Sequence, residues 1–130
     1  MLFVYPAIFH KEEGLYWVEF PDLEGCQSFG ETLSGTISYA QEALAGYILT
    51  ILEDNKELPT PSQLEEINCD SDCFSSLVYC NVGDFKETKS VKKTLTIPTW
   101  LNERAMAKGI NFSQTLQNAL MEQLEIGTNN

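Results

Sequence analysis

At 130 residues the chain has room for one ordinary domain or two small ones. Hydrophobic residues at 43% and aromatics at 11% exclude an intrinsically disordered chain. Taken whole, a net charge of −11 argues against nucleic acid, whose phosphates attract Lys and Arg.

The charge is unevenly distributed, however. Residues 1–83 hold 14 acids against Lys11 and Lys56, a balance of −12. Residues 84–130 hold five acids against six basic residues, a balance of +1. Those six are Lys86, Lys89, Lys92, Lys93, Arg104 and Lys108, and only Glu87 and Glu103 oppose them within that stretch. The asymmetry suggests an acidic part that meets a basic partner and a second part that meets phosphate. For the first part taken alone, a merely solubilising acidic surface is the competing reading.

The apolar start, Met1–Tyr5, is too short for a secretory signal and ends at Pro6. The longest apolar segment, near Ala43–Leu52, is interrupted by Gly46 and Thr50, so no membrane span is expected. The expectation is a cytoplasmic protein with all four cysteines reduced.

Residues 2–9 and Leu15–Phe20 are rich in β-formers and predict two strands. His10 to Gly14 between them is polar and reads as a hairpin loop, with His10, the only histidine, as a loop residue. Pro21 to Gly25 breaks the second strand, and Cys26–Glu31 is a short third one. Thr32 or Ser34 caps a helix running to about Asp54. Its apolar residues Leu33, Ile37, Ala40, Ala43, Leu44, Tyr47, Ile48, Ile51 and Leu52 recur at steps of three and four, which buries one wide face. Pro59 and Pro61 prevent the helix from resuming. Ser62–Asp72 is acidic and unpatterned, and Phe74–Val82 predicts a fourth strand. The fold class is α+β, one sheet under one helix layer. Domain boundaries follow at residues 1–83, a linker at 84–90, and a second module at 91–127.

In that module Val91–Ile97 alternates, with Val91, Lys93, Leu95 and Ile97 on one side and Lys92, Thr94 and Thr96 on the other. Pro98 stops the strand, and Thr99 caps a helix whose first turn, Trp100 to Glu103, puts an acid near the positive dipole end. Gly109 ends it. Ser113 starts the next helix, striped by Leu116, Leu120, Met121 and Leu124 and ended by Gly127. One strand and two short helices cannot close a core alone. A twofold dimer solves this by pairing two strands antiparallel over interlocked helices. The free face of such a ribbon fits a major groove. A dimerisation module without DNA contact is the plainer alternative.

Strand, Pro98, helix, Gly109, Ser113 and helix in this order resemble the ribbon-helix-helix family of bacterial repressors. The resemblance implies base contacts from Lys92, Thr94 and Thr96. It also implies a phosphate held by the backbone of Asn111, Phe112 and Ser113. Phe112 stands where many members carry a small or basic residue.

The N-terminal part, with Tyr5-Pro6, Phe20-Pro21-Asp22-Leu23-Glu24-Gly25-Cys26, Phe29 to Thr32, Gln41 to Leu44 and Leu58 to Ser62, resembles the HicB antitoxin family over residues 3–62. The resemblance implies a partial RNase H-like domain that blocks a small ribonuclease toxin, HicA. It also implies a C-terminal DNA-binding module for autorepression.

Charge complementarity makes Glu12, Glu13, Glu19, Asp22 and Glu24 the candidate toxin contacts. For Asp22 and Gly25 a purely structural role in the turn competes. Nuclease chemistry needs carboxylates converging on two metals, and the short sheet lacks room for them, so no enzyme is expected. Cys69 and Cys73 lack paired histidines, so no zinc or other cofactor is expected either. Cys26 and Cys80 read as packed small residues. A repressor whose N-terminal domain senses a small ligand is the alternative function.

Overall fold

The computed structural model describes residues 2–82 and 90–124, and the chain divides into two compact units, with residues 2–82 in the first and 90–124 in the second. The expected linker and the glycine at 127 fall wholly or largely outside the described residues.

The first unit is a four-stranded antiparallel sheet with one helix, an α+β arrangement. Its strands are β1 (Leu2–Glu12), β2 (Leu15–Glu19), β3 (Gln27–Gly30) and β4 (Cys73–Asn81), ordered β3-β2-β1-β4. The hairpin is tighter than the sequence suggests. β1 runs on through Glu12, which pairs with Leu15, so the loop is Glu13 and Gly14 alone. Both adopt positive φ, 52° and 82°, as the mirror-image turns of two-residue hairpins require. His10 is therefore a strand residue and not a loop residue. Pro6 lies where β1 pairs with β4 but not with β2, a position that tolerates a missing N–H.

Period-two alternation sorts the side chains. Phe3, Tyr5, Ala7 and Phe9 on β1, Val18 on β2, and Val78 and Cys80 on β4 are buried on the helix side. Val4, Ile8, His10, Trp17, Phe29, Leu77 and Tyr79 take the other side.

Helix α1 (Leu33–Glu53) starts at Thr32, whose hydroxyl accepts from the Gly35 N–H at 3.0 Å, and its C-cap is Asp54. Its buried stripe is Thr36, Ala40, Leu44, Ala45 and Ile48, narrower than the periodicity predicts. Leu33 and Ile37 stay exposed. The reason is a close approach at the helix start: a Cβ on Gly30 would lie 2.6 Å from Thr36 Oγ1 and 3.0 Å from its backbone nitrogen. Thr36 occupies that contact, which rotates Ile37 outward.

Between α1 and β4 the chain makes a single 3₁₀ turn, Leu64–Glu66. The buried Tyr5 hydroxyl donates to the Pro59 carbonyl at 2.6 Å, tying this connection to the sheet. Cys69 and Cys73 are joined as a disulfide, against the expectation of four free thiols. The turn into β4 brings their Cα atoms to 5.8 Å, well inside disulfide range. Cys26 and Cys80 are free and buried, as expected of packed residues.

The second unit holds α2 (Thr99–Ala107) and α3 (Phe112–Gln123). The expected strand at 91–97 has no regular structure in the single chain, because a strand needs a neighbour to supply its ladder. Thr99 is the first helical residue and not the cap. Pro98 holds the cap position, its carbonyl accepting from the N–H groups of Leu101 and Asn102. That shift leaves Glu103 in the second turn and no acid in the first. Gly109, at φ +69°, ends α2 as predicted. Its N–H donates to the Met106 carbonyl and that of Ile110 to the Ala105 carbonyl, the paired bonds of a Schellman cap.

Two outcomes follow. Gly30→Ala should cost roughly 1–3 kcal/mol in urea unfolding, since the added methyl meets Thr36 backbone as well as its hydroxyl. Thr36→Ala in that background should recover only part of the loss. Burial also pushes the Cys26 and Cys80 thiols up to about 11, so both stay protonated at neutral pH. In the oxidised chain a thiol titration at pH 8 should find neither until the protein is denatured. Rapid reaction of the folded chain would contradict this.

Candidate functional site

The five acids predicted at the first hairpin separate in space. Glu12 ends β1 and Glu13 sits in the turn, both exposed. With Glu31, from the link between β3 and α1, they border an open cleft of about 990 Å³. Tyr16, Trp17 and Phe29 also line it, and Tyr39 joins them from the second turn of α1. Phe29 is 77% exposed, an uncommon state for a phenylalanine on a folded sheet.

Glu19 lies elsewhere on β2, its carboxylate 3.0 Å from His10 Nε2. His10 in turn stacks on Trp17 with ring centroids 3.9 Å apart. Asp22 is engaged inside the unit. One carboxylate oxygen accepts from the Ser62 N–H at 2.9 Å and the other from the Ser62 hydroxyl at 2.6 Å. These bonds join the turn after β2 to the segment following α1. Gly25, at φ +82°, supports the same turn. Glu24 offers its backbone carbonyl to the Tyr47 hydroxyl at 2.9 Å and leaves its side chain exposed.

Sequence reasoning missed Glu31, Tyr16, Trp17, Phe29 and Tyr39 as neighbours of Glu12 and Glu13. The available signal was alternation: Trp17 and Phe29 fall on the same sheet face once the register pairs them. That register was not readable from β3, which is only four residues long.

Among the described residues no group of three or more His, Cys, Asp or Glu side chains is placed to hold a metal ion. No described helix is long and apolar enough to cross a membrane.

In the second unit Lys92, Thr94 and Thr96 are exposed. Helix α3 starts at Phe112, one residue before the expected Ser113, and Asn111 caps it: the Asn111 side-chain oxygen accepts from the Gln114 N–H at 3.0 Å. Phe112 and Ser113 are thus the first two helical residues, whose N–H groups have no carbonyl to reach within the helix. Neither α2 nor α3 buries a residue. Trp100, Leu101, Met106, Ile110, Phe112, Leu120 and Leu124 are all exposed, as are Val91, Leu95 and Ile97.

A family model described as HicB_like antitoxin of bacterial toxin-antitoxin system matches residues 5–119, spanning both units. The chain belongs to the HicB-like antitoxin family. This is a family of non-enzymatic regulatory proteins. The chain is 40% identical over 63 residues to an uncharacterised 14.9 kDa protein of Haemophilus phage HP1. It is 36% identical over 58 residues to antitoxin HicB 2 of Photorhabdus laumondii. The matches cover 48% and 45% of this chain and 47% and 42% of those relatives, so the chain spans about half their length. Among solved structures, a chain of a toxin-antitoxin complex from Streptococcus pneumoniae is similar with a TM-score of 0.62 and 31% identity, over 95% of this chain and 99% of that one. The Burkholderia pseudomallei antitoxin HicB is similar with a TM-score of 0.59 and 25% identity, over 93% and 98%. Both likenesses extend across both units.

Proposed function

We propose that this HicB-like antitoxin neutralises a HicA-like mRNA-cleaving toxin through residues 1–83 and represses its own operon through residues 91–127. The charge division carries the reading: a unit of −12 is suited to cover the basic surface of an RNA-binding partner. The solved relative from Streptococcus pneumoniae, itself a toxin-antitoxin complex, supports such a partner. The order β3-β2-β1-β4 with α1 on one face fits a partial RNase H-like domain.

The second unit acts as a homodimeric ribbon-helix-helix module. Support comes from its uncovered apolar side chains, since a unit of this size with no buried residue in either helix gains its core by pairing. Antiparallel pairing of two 91–97 segments would bury Val91, Leu95 and Ile97 and present Lys92, Thr94 and Thr96 to base edges. The free N–H groups at the start of α3, with the Asn111 cap, suit a backbone phosphate. The even balance of residues 84–130 lets this unit approach DNA despite the acidic whole.

Lys92→Ala with Thr94→Ala should weaken operator binding by roughly 1–3 kcal/mol per lost base contact while the dimer persists in size-exclusion chromatography. An unchanged mobility shift would place recognition elsewhere. Co-expression with the short basic product of the adjacent reading frame should relieve that product's toxicity. Growth arrest that persists despite co-expression would refute the antitoxin assignment.

A further inference from the structure

We propose that the cleft between the β1–β2 hairpin tip, the end of β3 and the start of α1 is the toxin-docking surface, and that it takes an arginine-bearing basic segment. This rests on the toxin-neutralising reading and names where that reading acts. The cleft combines two features that separately would mean little. Glu12, Glu13 and Glu31 set carboxylates on its rim, and Tyr16, Trp17 and Phe29 supply aromatic surface within it. No Lys or Arg lines it among the described residues.

An arginine suits both parts, because its planar guanidinium stacks on rings while its N–H groups reach carboxylates. A cation already lies beside one of these rings: Lys11 Nζ is 5.7 Å from the Tyr16 ring centre. His10 covers one face of Trp17, which leaves the strongly exposed Phe29 as the ring best placed for an incoming side chain.

Charge decides between occupants. Nucleic acid would meet the three carboxylates with its own phosphates. A second copy pairing through the same cleft would bring two rims of like charge together, on units of −12 each. A basic protein surface meets neither penalty. Occupying the arginines of an RNA-cleaving toxin in this way would also remove the charges with which it holds its substrate.

The test uses the full-length chain and the purified short basic product of the adjacent reading frame. Phe29→Ala should leave the fold intact, because the ring is mostly exposed, yet weaken binding at least about tenfold. The triple variant Glu12→Gln, Glu13→Gln, Glu31→Gln should do the same and flatten the salt dependence of Kd. In a Trp100→Phe background, which leaves Trp17 as the only tryptophan, emission should change on toxin addition. Binding by both variants within about twofold of the parent, with unchanged Trp17 emission, would overturn the proposal while leaving the antitoxin reading standing. Loss of self-association without loss of toxin binding would overturn it in favour of a second copy. A parent chain that does not bind the basic product at all would instead remove the antitoxin reading and this site with it.

Discussion

The alternation of β1 governs the first unit. Phe3, Tyr5, Ala7 and Phe9 share one side of the central strand and fill the interior under α1. Because the side-chain period of a strand is two, that choice commits Val4, Ile8 and His10 to the opposite face, and the register then assigns Trp17, Phe29, Leu77 and Tyr79 to it as well. A one-residue slip would exchange the two sets. The two-residue turn at Glu13 and Gly14 prevents that slip, and the same turn sets Glu12 and Glu13 at the hairpin tip. Burial on one side of the sheet therefore positions the chemistry at its end.

A second constraint acts at the start of α1. Gly30 lets Thr36 approach the sheet more closely than any side chain would allow. The approach holds the first turns of the helix beside β3, so that Glu31 and Tyr39 border the same cleft as the hairpin tip. The Asp22–Ser62 hydrogen bonds secure the opposite turn. Asp22, for which a structural role competed with a partner contact in the sequence, is thus a structural tie. Net charge identifies a unit suited to a basic partner, but only hydrogen bonding separates the acids that face outward from those that hold the chain together.

The second unit follows a different logic. Its helices are well capped, by Asn111 at one end and by the Gly109 turn at the other, yet they enclose nothing. Local signals are satisfied while tertiary burial is not. Among the described residues such a segment lacks a core of its own, a condition that the proposed pairing would resolve. In the proposed paired ribbon, its apolar residues and its Lys and Thr residues would take the two opposite sides.

Much of this was written in the sequence, because the signals are local. The split of charge, the extents of α1 and β4, the Thr32 cap and the Gly109 stop all depend on residues within one or two turns of each other. The family likeness rested on the short motifs around Pro21 to Cys26 and Pro59 to Ser62. What the sequence misassigned was short or non-local. The cap of α2 and the start of α3 each moved by one residue, because adjacent Pro, Thr, Asn and Ser residues compete for the same role. The Cys69–Cys73 link depended on how the chain turns into β4. The membership of the cleft depended on sheet register and on the Gly30–Thr36 contact, which join segments far apart in the chain. Charge and periodicity say what each segment carries. Only packing decides which segments meet.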